Sequence, residues 1–222
     1  MSIGFFVTGT DTNVGKTLVS CSLIHAFAKT GRSVVGMKPI AAGCENGRWL
    51  DVDQLSAAST RQFDRAVINS YHLLAPVAPQ IAANYEAVDI DIAVIQQAFH
   101  IVQKAVDIVI VEGVGGFVVP LTSQTDTSDL AVALNLPVVM VVGLRLGCLN
   151  HALLTAEAIR ARRLPLVGWV ANMIDPQMDD IAENIEVLKG RLVSPLIGIL
   201  PYNPHIDASV SADLLDINPL LM

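Results

Sequence analysis

Residues Thr8–Thr17 read TGTDTNVGKT, and how this stretch is parsed decides the fold. The strict phosphate-loop pattern, G-x-x-x-x-G-K-[ST], asks for a glycine five positions before Gly15. Thr10 stands there, and the nearest glycine is Gly9. Even so, Gly15-Lys16-Thr17 follows a short apolar run, IGFFVTG, and precedes a stretch where Val19, Leu23 and Phe27 share one helical face. Strand, glycine-bearing loop and amphipathic helix agree, so the loop is expected to bind phosphate at the carboxyl end of a strand. Backbone NH groups of the loop and the first helical turn would face the anion, and the helix dipole favours negative charge there. Lys16 would meet phosphate oxygens and the Thr17 hydroxyl a magnesium ion. Gly31 is well placed to end the helix in a left-handed cap.

Outward from this loop, short β-rich runs recur: SVVGMKP, DIVIVEG, PVVMVVG, PLVGWVAN and PLIGIL. Helical spacing fills most of the intervals, at 90–106, 128–135, 150–163 and 179–191. Strand, helix, strand in repetition predicts one α/β domain over residues 1–222. Its mostly parallel sheet, of about seven strands, should be covered by helices on both faces. Residues 41–89 break the rhythm with Trp49, Pro76 and Pro79, and read as an insertion of helices and loops over the sheet edge.

Composition narrows the function. Hydrophobic residues are 52% of the chain and charged ones 16%, as suits strands buried on both faces. The net charge of -7 carries no block of like charges, so neither a nucleic-acid footprint nor a polybasic membrane patch is expected. Cys21, Cys44 and Cys148 lie far apart and suggest neither a zinc site nor a disulfide framework. The longest apolar tract, LAVALNLPVVMVVGLRLGCL, is interrupted by Asn135, Pro137 and Arg145 and reads as helix end, turn and strand. No positively charged segment precedes the first apolar run, and the expected location is the cytoplasm.

A second acid should complete a magnesium site. The run DIVIVEGVGG ends its apolar part at Glu112, followed by Gly113, Gly115 and Gly116, which places a carboxylate at a strand end beside a flexible backbone. Such an acid standing alone is commonly a solvated loop residue; the neighbouring phosphate loop favours the metal. Asp51 and Asp53, in LDVDQL, are weaker candidates, because an aspartate before a helix is usually a cap. Lys38 closes SVVGMKP, where Pro39 forbids a continued ladder, and brings a second ammonium to the edge that carries Lys16. None of His25, His72, His100, His151 and His205 has a recognisable catalytic or ligand spacing.

TGTDTNVGKT, GMKPIAAG, the acid in LDVDQL, VEGVGG, GLRLGCLNHA and GWVAN, in this order and spacing, closely resemble the dethiobiotin synthetase family of phosphate-loop enzymes. The resemblance spans nearly the whole chain, is weakest over 61–104 and after Asn203, and carries the longer loop spacing with Thr10. It implies an ATP-dependent cyclo-ligase of biotin synthesis that forms C–N bonds. The implied substrates are 7,8-diaminononanoate, carbon dioxide and ATP with magnesium, and the products dethiobiotin, ADP and phosphate. One amine would take up carbon dioxide as a carbamate, the carbamate oxygen would attack the γ-phosphate, and the second amine would close the ureido ring. By the same resemblance Lys16, Lys38 and Thr12 are catalytic, and Thr17, Asp53 and Glu112 hold magnesium. Asn13, Val14, Gly15, Lys16, Thr17 and Leu18 would wrap the phosphates, with Gly113, Val114 and Gly115 against the nucleotide or substrate. Asn172 would read adenine, beside the loop Pro201, Tyr202 and Asn203. Gly147, Cys148, Leu149 and Asn150, at a helix N-terminus, would take the tail carboxylate of a substrate bound by the neighbouring subunit, which implies a homodimer.

The chain departs from the family at two positions. Ala42 replaces a serine, a loss of about 1 kcal/mol of substrate binding where no water or backbone NH substitutes. Asn13 stands where many members have glutamate, which removes one negative charge near ATP. The rival reading is a nucleotide-dependent partitioning or metal-insertion switch, but such proteins carry a further lysine early in the loop, where this chain has Gly9, Thr10 and Asp11. An amidase with a glutamine-hydrolysing domain would need more chain and a catalytic cysteine in a nucleophile elbow.

Overall fold

The computed structural model describes residues 2–221. The first half of the chain forms β1 (Ile3–Gly9), α1 (Lys16–Ala28), β2 (Val34–Met37), β3 (Ile40–Ala42), α2 (Leu50–Ala58), α3 (Arg65–Ile68), β4 (Tyr71–Leu73), α4 (Pro79–Glu86) and α5 (Ile92–Gln103). The second half continues with β5 (Ile108–Glu112), α6 (Thr127–Leu134), β6 (Val138–Leu144), α7 (Cys148–Ala161), β7 (Leu166–Met173), α8 (Ile181–Arg191), β8 (Leu196–Leu200) and α9 (Ala208–Ser211). Each of the four later helices falls within two or three residues of its expected bounds. Gly31 takes the left-handed conformation, φ +81, two residues past the Lys29 cap of α1.

The main sheet has six strands in the order β2-β5-β1-β6-β7-β8, every neighbouring pair parallel. These are the six apolar runs. The expected count of about seven is corrected by β3 and β4, which leave the sheet and pair with each other as a separate parallel pair. Pro39 explains the departure. It has no NH for the ladder beyond β2, while its carbonyl accepts from the NH of Tyr71 at 2.8 Å and opens the second sheet.

In β1, β5 and β6 every residue but Ile3 is buried. Alternate side chains feed two cores, as a parallel sheet covered on both faces requires. Phe6 joins Val109, Val111 and Phe99 on one face; Phe5 and Val7 join Leu23, Ile24 and Phe27 on the other. From β1 the chain first builds one side of the sheet, β2 and β5, and afterwards the other, β6 to β8. The carboxyl end of β1 is therefore the point where the winding reverses and a crevice opens.

Phe27 is fully buried and stacks on Phe5, with ring centroids 5.6 Å apart and planes 10° from parallel. Phe27→Ala should cost about 3–5 kcal/mol of stability. In urea unfolding the midpoint should fall with an unchanged slope, and Phe27→Leu should lose much less.

Candidate functional site

The loop between β1 and α1 keeps its backbone free for an anion. Gly15, at the N-cap of α1, has φ +91, and no side chain caps the helix. Its first turn holds no acidic residue, so the free NH groups and the helix dipole face the cleft unopposed. Asn13 is also left-handed, φ +60, a conformation asparagine tolerates better than glutamate does. Gly9 is needed for packing: a Cβ there would lie 2.6 Å from Val14 Cγ2 and 3.1 Å from Lys16 Cγ.

Lys16 is buried, and its Nζ donates to the Asp11 carbonyl at 3.0 Å. Burial first, and then the Lys38 ammonium, pull its pKa from 10.5 down to about 8, against a smaller opposing pull from Glu112, Asp11 and Asp51. Lys38 shows the opposite balance. Burial lowers its pKa, but the Glu112 and Asp51 carboxylates outweigh it and hold the group above the usual lysine value. Its Nζ sits 2.6 Å from Glu112 Oε1, 3.1 Å from Asp51 Oδ2 and 2.9 Å from the Gly113 carbonyl that accepts from it.

These groups face a cleft of about 490 Å³ that Thr12, Asn13, Gly15, Ala42, Val114 and Gly115 also line. The Thr17 hydroxyl donates to Glu112 Oε1 at 3.0 Å, while Glu112 Oε2 is buried with no hydrogen-bond partner among the described residues. A buried carboxylate oxygen without a partner is costly unless a cation meets it. Two carboxylates and a hydroxyl beside a phosphate site suit magnesium, which takes one or two protein carboxylates and fills its remaining positions with phosphates and water. No group of three or more His, Cys, Asp or Glu side chains able to hold a metal occurs among the described residues.

One expected ligand lies elsewhere. Asp53 binds Arg48 Nε at 2.8 Å and an Arg65 guanidinium nitrogen at 3.0 Å; burial is the largest single influence on its carboxyl and raises its pKa, but the two arginines together outweigh it and hold the group below the usual range. Asp51 faces the cleft instead. Residues two apart on a helix point to different sides, so α2 can offer only one of them. The buried stripe of α2, Val52 and Leu55, was the available signal, since Asp51 flanks it and Asp53 lies further round. Gly43, Glu45 and Leu50 also line the cleft and were not singled out from the sequence.

Other expected residues surround the cleft. Val14 is buried against the sheet, and Gly113 contributes its carbonyl to Lys38. Leu18 and Asn203 border a second cavity of about 600 Å³ between α1 and the segment 203–208, together with Cys21 and His25. Pro201 and Tyr202 are exposed past β8. Cys21 is buried, and burial first, then Glu112 and Asp207, push its thiol up to about 12, so it supplies no nucleophile. Gly147 and Asn150 lie exposed at the start of α7, outside the cleft, with Cys148 buried beneath them. Asn172 is buried under the loop.

An AAA domain family model matches residues 4–210. The chain is 58% identical to the ATP-dependent dethiobiotin synthetase BioD of Nitrosospira multiformis, over 98% of this chain and 96% of that protein. It is 52% identical to the namesake from Aromatoleum aromaticum, over 95% of this chain and 96% of that one. The chain belongs to the dethiobiotin synthetase family. Solved structures confirm the fold alone. The septum site-determining protein MinD of Pyrococcus horikoshii, complexed with Mg-ADP, matches with a TM-score of 0.61 at 13% identity, over 96% of this chain and 86% of that one. A ParA family ATPase of Chlorobium tepidum matches with a TM-score of 0.56 at 16% identity, over 95% and 89%. Identity this low to partitioning proteins does not favour the switch reading over dethiobiotin synthetase. No helix among the described residues is long and apolar enough to cross a membrane.

The lowered pKa of Lys16 makes anion binding pH-dependent. In the free protein Lys16 is an ammonium below pH about 8 and increasingly neutral above it, whereas bound phosphates favour the charged form. Mg-ATP affinity should fall as pH rises through 8, and binding at pH about 9 should take up a proton. Calorimetry in buffers of different protonation enthalpy reads this uptake directly, and Lys16→Met should abolish it.

Proposed function

We propose that the chain closes a ureido ring on 7,8-diaminononanoate with carbon dioxide and Mg-ATP, releasing dethiobiotin, ADP and phosphate. Kinship with dethiobiotin synthetases names the reaction class; the observation that carries the residue-level reading is Lys38, buried as an ammonium between Glu112 and Asp51 beside the phosphate loop. A carbamate and a triphosphate are both anionic, and bringing them together requires fixed positive charge between them.

Lys38, just past the end of β2, and Lys16, at the start of α1, supply that charge, and Thr12, exposed beside the cleft, would meet the carbamate. The carbamate oxygen attacks the γ-phosphorus as ADP leaves; the second amine then attacks the activated carbonyl carbon and phosphate departs. The loop NH groups and Lys16 hold the phosphates in line, and burial keeps Lys38 from exchanging its ammonium contacts for water. Thr17, Glu112 and Asp51, rather than Asp53, would hold magnesium. Bound there, the ion would neutralise charge on the phosphate oxygens.

The tail of the diamine points the reading toward a homodimer. Gly147 and Asn150 lie outside the cleft formed by their own chain, and beside them Leu146 is 94% exposed. A neighbouring subunit presenting this helix start could receive the tail carboxylate and cover that leucine. The same reading places the enzyme in the cytoplasm.

Incubation with Mg-ATP, bicarbonate and 7,8-diaminononanoate should yield dethiobiotin and ADP in equal amounts, each dependent on every component. ADP release that ignores the diamine but responds to a protein partner would point to the switch instead.

Substitutions should separate the two acids of α2. Asp51→Asn should lower turnover at least about tenfold and raise the magnesium requirement, while Asp53→Asn should keep near-normal turnover. Lys38→Gln should lose at least about a hundredfold in product formation. A fully active Asp51→Asn variant with an inactive Asp53→Asn variant would restore Asp53 as the ligand.

A further inference from the structure

We propose that Asn172 is a positioning residue for the phosphate loop, and that its amide holds the loop in its anion-binding shape independently of any contact with a nucleotide base. Asn172 ends the buried part of β7, in register with Gly143 of β6, and is 6% exposed. Its Nδ2 donates to the Val14 carbonyl at 2.8 Å. A carbonyl can only accept, so the amide nitrogen must be the atom turned toward the loop.

The consequence follows from peptide geometry. In the trans peptide joining Val14 to Gly15, the carbonyl and the following NH point in opposite directions. Anchoring the carbonyl down onto β7 turns the Gly15 NH up into the cleft that Gly15 lines, where a phosphate oxygen would accept from it. The packing at this point is tight enough to require glycine on both sides. A Cβ on Gly15 would lie 2.1 Å from Asn172 Nδ2, and one on Gly143 would lie 2.7 Å from Val14 Cγ1. Val14 is thus seated on two strand ends, with the amide fixing its carbonyl. Asn172 Oδ1 makes no hydrogen bond among the described residues, so it remains available to a ligand's amino group.

The inference rests on the ATP-dependent reading of the cleft, and a baseless ligand separates the two. Full-length wild type, Asn172→Ala and Asn172→Asp are titrated calorimetrically with magnesium and inorganic triphosphate, and in parallel with Mg-ATP. Wild type should bind both. Each variant should weaken inorganic triphosphate by about tenfold, the effect of one hydrogen bond lost from a buried carbonyl, and should also lower kcat at saturating ATP. The aspartate keeps the shape but sets oxygen against oxygen; should it fail to fold, the alanine variant decides. Asn172→Ala that binds triphosphate like wild type and shows only a raised KM for ATP overturns the inference, because Asn172 would then touch the base alone. Wild type that binds neither ligand overturns the nucleotide reading as well.

Discussion

The Lys38–Glu112 contact, 2.6 Å long and almost fully buried, is the constraint around which the cleft is built. Strand pairing delivers it. Met37 stands opposite Val111 in the β2–β5 ladder, so the next residue on each strand, Lys38 and Glu112, must emerge side by side. Glu112 is in turn opposite Val7 of β1, whose strand runs on into the phosphate loop. Three adjacent parallel strands thus bring an ammonium, a carboxylate and an anion-binding loop to one end of the sheet. A one-residue slip in either ladder would turn a member of the pair into the core.

Such a pair is not explained by stability. Removing two charges from water costs several kcal/mol per ion, and an apolar pair of similar volume would commonly do as well or better. The arrangement instead leaves Glu112 Oε2 without a partner among the described residues, and the Lys38 ammonium adds to the burial that lowers the Lys16 pKa. Unmet hydrogen-bonding capacity and mutual repulsion are reservoirs that binding can relieve: a cation would satisfy the carboxylate oxygen, and phosphates would stabilise both ammonium groups. The free cleft is electrostatically unfinished, and an anion arriving with its magnesium supplies the missing charges.

Much of this was legible in the sequence. The six core strands announce themselves as apolar runs because a sheet covered on both faces leaves no polar alternation to blur them. Lys38 and Glu112 could be found because each closes such a run, and Lys16 and Thr17 because the glycine-bearing loop that carries them leads from one into a helix. Asp51 was harder. It sits on a short helix outside the strand rhythm, and choosing it over Asp53 required knowing which face of α2 packs, information carried by only Val52 and Leu55. The pairing of β3 with β4 was not legible at all, since two three-residue segments carry too little periodicity to announce a strand. The base contact expected of Asn172 came from the family resemblance, whereas its hydrogen bond to the Val14 carbonyl depends on distant strand ends and the loop meeting, which no local pattern records.

Thr10, which breaks the strict loop pattern, has its explanation in the same strand ends. Its NH donates to the Val141 carbonyl at 2.9 Å, so β1 continues its ladder with β6 one residue beyond Gly9. A residue still engaged in a ladder has no need of positive φ, and in this loop only Asn13 and Gly15 adopt it. The threonine hydroxyl is also within 3.4 Å of the Gly143 NH, from which it accepts. The loop proper therefore begins after Thr10. Its turn is made by asparagine and glycine close to the helix, and the glycine in the chain before it, Gly9, is required because Val14 and Lys16 fold back over that strand end. The longer spacing is the sequence record of a strand that runs one residue further before the loop leaves the sheet.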